Sequence, residues 1–169
     1  MINFNFNASE LIFALPELFL LSAISFILLF DLFAGEQYKK FTYHLSQLAL
    51  IITGVLAFSL IGESATIFSG TFVLDNLGST FKVFILGFSV IALVYSRQYL
   101  RVHDLLRNEY YILALMSILG MMVMVSGHSL LTLYLGLEIM SLSLYALIAT
   151  ARDRAFAIEA ALKYFVLGA

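Results

Sequence analysis

The chain has 169 residues and a formal net charge of −2; 62% of the residues are hydrophobic, 12% are charged, and there is no cysteine. This balance, with a mean hydropathy of +1.00, excludes a soluble globular domain and a disordered chain and points to a polytopic membrane protein. Without cysteine there are no disulfides, thiolate metal sites or iron–sulfur ligands, so any redox chemistry belongs to another chain.

The start, MINFNFNASE, carries no Lys or Arg ahead of the first apolar run, and that run is longer than a signal peptide's apolar region. It reads as a retained span over 11–34, kinked by Pro16, with Glu17 placed beside the freed backbone groups in a mainly structural role. Asp31 is expected to pair with Lys39 or Lys40. The second span is expected over 41–62. The connection Glu63 to Asp75, ESATIFSGTFVLD, has two β-prone stretches around Ser69-Gly70 and reads as a short hairpin on the membrane surface. Lys82 lies early in the third span, 77–99, where it is expected to snorkel to the headgroups. Spans over 110–127 and 129–151 follow, and a sixth runs over 155–169. As a helix the sixth covers only ~22 Å, short of a bilayer crossing, so the chain reads as the N-terminal part of a longer protein. The expected class is an all-α transmembrane bundle. Gly54, Gly87, Gly120 and Gly136 are assigned to close helix packing. His44, His103 and His128 have no second ligand at metal spacing, so no metal site is assigned.

Basic residues alternate between the connections. Lys39 and Lys40, then Arg97, Arg101 and Arg107, then Arg152 and Arg154 fall on one set of loops, and the other set has none. Because inner-side loops are enriched in Lys and Arg, the N-terminus is expected on the outer, periplasmic or intermembrane, side. Lys82 and Lys163 fall inside spans.

The span SLLTLYLGLEIMSLSLYALIAT, Ser129 to Thr150, holds one ionisable carboxyl, Glu138, near its middle. A charge at such depth is expensive, and an ionisable residue there marks an ion or proton pathway unless it merely bonds neighbouring helices. Tyr134, Glu138, Ser141 and Tyr145 fall at i, i+4, i+7 and i+11, one polar face through an aliphatic helix, where hydroxyls and water can relay protons. Lys163 lies within ~7 Å of the same height on the next span, so the two side chains are within reach of each other across an antiparallel hairpin. A cation there would have its proton affinity set by burial and by a neighbouring carboxylate. Glu159, four residues before Lys163, offers a purely local helical pair instead.

YLGLEIMSLSLYAL, Tyr134 to Leu147, then the charged turn ARDR and AIEAALKYFVLGA, closely resemble the subunit N family of bacterial NADH-quinone oxidoreductase, subunit 2 of mitochondrial complex I. EYYILALMSILGMMVMVSGHSLLTLYL, Glu109 to Leu135, resembles it too. The resemblance implies a proton-translocating, antiporter-like membrane subunit with inverted five-helix repeats, in which Glu138 corresponds to a channel glutamate and Lys163 to the lysine of the following helix. The broken helix that carries the glutamate's main family partner is not among these residues. By the same resemblance the chain binds no cofactor; NADH, flavin, iron–sulfur clusters and quinone belong to other subunits, and its partners are other complex I membrane subunits and the lipid of an inner membrane, bacterial or mitochondrial. No nucleic-acid motif is present. The competing reading is a subunit of a multisubunit cation/proton antiporter.

Overall fold

The computed structural model describes residues 8–33, 39–103, 105, 107–151 and 154–168. Among these described residues five helices are long and apolar enough to cross a membrane: α2 (Leu15–Phe33), α3 (Lys39–Ser59), α4 (Asn76–Val102), α5 (Asn108–Ser126) and α6 (Leu130–Ala149). In hydrocarbon a helix satisfies every backbone group within its own segment, which leaves such apolar runs little alternative. A short α1 (Ala8–Phe13) precedes them, and α7 (Ala155–Gly168) follows.

The first expected span, 11–34, is divided. The helix breaks at Ala14 and restarts at Leu15, so Pro16 lies in the first turn of α2, where its missing N–H has no helical acceptor to lose. Several buried or half-buried hydroxyls bond within their own helices: Ser46 Oγ donates to Thr42 O (2.7 Å), Thr53 Oγ1 to Ala49 O (2.7 Å), Ser89 Oγ to Ile85 O (2.6 Å) and Ser143 Oγ to Ile139 O (2.6 Å). These hydroxyls therefore do not join helices, and the apolar side chains of Leu20, Leu50, Leu86, Leu115 and Met122 are fully enclosed between the helices.

The expected hairpin is present. β1 (Ala65–Ile67) pairs antiparallel with β2 (Phe72–Leu74), Ala65 opposite Leu74 and Ile67 opposite Phe72. Its tight loop takes Phe68 (φ 52°), Ser69 (φ 57°) and Gly70 (φ 88°) through the left-handed region, a strain that two non-glycine residues carry. Glu10 Oε2 accepts a hydrogen bond from Phe68 N (3.2 Å). Phe72 bridges to Gly127, and His128 N donates to Thr71 O (3.0 Å), so the hairpin lies against the α5–α6 turn. Asp75 caps α4 by accepting from Gly78 N (2.7 Å).

α5 packs against α2, α3, α4 and α6, while α7 packs on α6. The α5–α6 seam is made by two glycines. A Cβ on Gly120 would lie 2.6 Å from Met140 N and 2.7 Å from Gly136 O, and one on Gly136 would lie 2.9 Å from Met124 N. The packing role expected of the glycines thus holds at these two. Gly54 has only Leu86 Cβ at 4.0 Å, and Gly87 faces open space.

At the end of the bundle opposite the hairpin, Asp31 Oδ1 accepts from Thr42 Oγ1 (3.0 Å) and Asn108 Nδ2 (2.6 Å). The side chains of Lys39 and Lys40, its expected partners, lie outside the described residues, as does Arg152. Nearby the Arg97 guanidinium covers the Tyr43 ring at 4.0 Å, and Tyr43 meets Tyr111 edge-on at 5.4 Å.

Candidate functional site

Ser129 caps α6 by accepting from Thr132 N (3.1 Å), which sets the start of the helix and hence the depth of everything on it. Glu138 follows eight residues after Leu130, ~12 Å along the axis and close to the middle of α6. It is half-buried, two residues beyond Gly136, at the level where α5 and α6 approach most closely.

The hydroxyl stripe divides three ways. Tyr134, whose ring is exposed, stands one turn before Glu138 on the same face of α6. Ser141 donates to the Glu138 backbone carbonyl (3.3 Å) and so serves the helix. Tyr145 turns toward α7, its ring edge-on to Phe165 at 6.3 Å and its hydroxyl against Gly168, where a side chain would collide with it.

Spans five and six do form a packed pair, α6 against α7. Lys163 Nζ, however, lies 2.6 Å from Glu159 Oε1, with side-chain exposures of 68% and 64%. Among the described residues the ion pair of Lys163 is therefore the local one within α7.

A second charged pair was not expected. Lys82 does not snorkel: it is 1% exposed, its Nζ lies 2.5 Å from Glu17 Oε1, and the ammonium sits 5.1 Å from the centre of the Phe72 ring. Glu17 is 6% exposed and also accepts from Ser126 Oγ at 3.4 Å. The snorkelling expectation fails because hydropathy measures depth along a helix and says nothing about which face meets lipid. Ser79, Lys82, Leu86, Leu93 and Leu100 are the buried residues of α4, and their helical spacing puts Lys82 on the inward stripe. Depth matching also carried the signal. Glu17 is two residues into α2 and Lys82 six into α4, two helices that both start at the hairpin end, so their levels differ by only ~6 Å.

Residues 127–169, which contain α6 and α7, match the family described as "NADH:quinone oxidoreductase/Mrp antiporter, TM". Over 97% of its length the chain is 66% identical to the NADH-quinone oxidoreductase subunit N of Ruthia magnifica subsp. Calyptogena magnifica. It is 47% identical to subunit N of Alkalilimnicola ehrlichii over 92% of its length, and 48% identical to that of Halorhodospira halophila over 97%. The chain spans about a third of the length of these relatives, 34%, 32% and 34% respectively. In fold it is similar to a chain from the respiratory complex I of Thermus thermophilus with bound aureothin, with a TM-score of 0.72 at 25% identity over 90% of this chain and 33% of that one.

Proposed function

We propose that this chain, an antiporter-like membrane helix bundle similar to subunit N over nearly its whole length, forms part of a proton-translocating membrane subunit of NADH-quinone oxidoreductase. The observation that carries the reading is Glu138: one carboxyl midway along an aliphatic helix, half-buried beside the glycine seam, with Tyr134 one turn away on the same face. In this reading Glu138 takes up and gives back the proton, Tyr134 donates to it when it is ionised, and Ser141 and Tyr145 extend the polar face along α6 toward α7. Lys163 is the cation of the next helix, and Glu159 is its counter-charge. A change in the distance between Lys163 and its carboxylate partners alters its proton affinity and so couples one helix to the next.

The chain supplies no electron carrier in this reading; NADH, flavin, iron–sulfur clusters and quinone are held by other subunits, and those of the membrane arm are its neighbours. The alternation of Lys and Arg supports an inner-membrane orientation with the hairpin end and the N-terminus on the periplasmic or intermembrane side.

In the full-length protein, Glu138→Gln keeps hydrogen bonding and removes titration, so the complex should assemble while proton pumping and coupled quinone reduction fall severely. Normal pumping by the assembled variant would sink the reading. A second reading, exchange of Na⁺ or K⁺ for H⁺, is favoured by the family description, which joins the oxidoreductase to Mrp antiporters. Cation-dependent proton movement in vesicles without NADH would select it.

A further inference from the structure

Glu17 and Lys82 lie outside the α6–α7 site and are given no role in the reading above. Their pair differs from a simple clamp in three respects. First, it is not saturated. Among the described residues, Glu17 Oε2 and Ser79 Oγ are enclosed without a hydrogen-bond partner. Ser79 stands at i−3 from Lys82, on the same face of α4. A buried ion pair used only for structure is held best when its remaining lone pairs are satisfied, whereas spare buried acceptors beside an ammonium form the kind of polar pocket that binds an ordered water.

Second, the pair can change protonation without changing net charge. Transfer of one proton from Nζ to Oε1 breaks an N–H bond, forms an O–H bond and leaves a neutral amine beside a neutral carboxylic acid. Both arrangements are electrically neutral overall, so enclosure does not forbid either. Third, the cover over the pair is the Phe72 ring, borne on a two-stranded hairpin, an element of marginal stability by itself, whose loop holds Phe68 and Ser69 in the left-handed region. The other ionisable groups at this end are engaged or exposed: Glu10 accepts from Phe68 N, Asp75 accepts from Gly78 N, and Glu63 and His128 are exposed. From α5, Ser126 adds its hydroxyl to the carboxylate.

We propose that Glu17 and Lys82 form a second proton-exchange site, at the hairpin end of the bundle, in which a water molecule binds Glu17 Oε2 and Ser79 Oγ and the Phe72 ring gates exchange with the adjoining aqueous phase. The assignment rests on the proton-translocating reading only for its purpose, since the exchange itself is a property of the pair.

The test uses the full-length protein in its assembled complex in membrane vesicles. Infrared difference spectra recorded as the pH is stepped should contain a carboxyl signal that Glu17→Gln abolishes, Glu17→Asp shifts and Glu138→Gln leaves in place. Phe72→Ala should speed hydrogen–deuterium exchange at that signal several-fold. The double variant Glu17→Gln/Lys82→Met, which leaves no lone buried charge, should assemble and lose a large part of its pumping at unchanged assembly. A wild-type spectrum with no Glu17-dependent signal overturns the proposal and leaves the pair a fixed clamp. Pumping by the double variant at the wild-type ratio overturns it equally. Undiminished pumping in Glu138→Gln would count against the α6 site alone and leave the Glu17 signal to be read on its own.

Discussion

Among the described residues two glutamate–lysine pairs stand in opposite circumstances. Glu17 and Lys82 belong to different helices and are sealed among α2, α4, α5 and the hairpin, whereas Glu159 and Lys163 are neighbours on one turn of α7 and both face outward. The first pair exists only because the fold brings distant residues together; the second would form in an isolated helix. The charges that cost most to bury are therefore in the region with the least distinctive motif, and the most distinctive motif lies where the chain encloses least. Among the described residues α6 buries only Gly136 and Ser143, whereas α5 buries nine residues.

That contrast can be broken from its strong side first. Lys82→Met leaves Glu17 without its cation in an enclosed site, a loss of about 3–5 kcal/mol, and should abolish assembly of the full-length protein as judged by its level in membranes. Adding Glu17→Gln to it should restore much of that level. Next in size, Gly120→Val places a branched side chain against Met140 N and Gly136 O; separating α5 from α6 should cost about 1–3 kcal/mol and lower thermal resistance in detergent. Asn108→Ala removes a donor from Asp31 and should cost about 1.5–3 kcal/mol, less if water replaces the amide, read in the same melting assay. Smallest, Lys163→Gln breaks an exposed pair within one helix and should change stability by no more than about 0.5 kcal/mol, so any large effect on pumping would be functional in origin.

Much of the fold is legible in the sequence because the bilayer narrows the choices. Apolar length gives helices, Pro16 gives the break before α2, and the β-prone stretches flanking Ser69-Gly70 give the hairpin. The polar face of α6 is legible too, since it follows from spacing along one helix. What escapes is contact between helices. Tyr134, Ser141 and Tyr145 share a face, yet one leaves its ring exposed, one bonds its own backbone and one meets the next helix, because the outcome depends on reach and on what stands opposite. Glu17 and Lys82 are sixty-five positions apart in the chain, and no local pattern joins them. Only rotation and depth taken together single them out, and both were available from the periodicity of α4 and the starts of α2 and α4.

The hydroxyls that bond within their own helices bear on how this protein is made. A hydroxyl turned onto its own backbone, as Ser46 and Thr53 are in α3, needs no partner from another helix when its span enters the bilayer. Glu17 and Lys82 differ from these, since each brings to the bilayer a charge whose counter-charge stands on the other's helix. The pairing of these two charges therefore ties α2 to α4 in a way that the hydroxyls of α3, already bonded within their own helix, do not tie α3 to its neighbours.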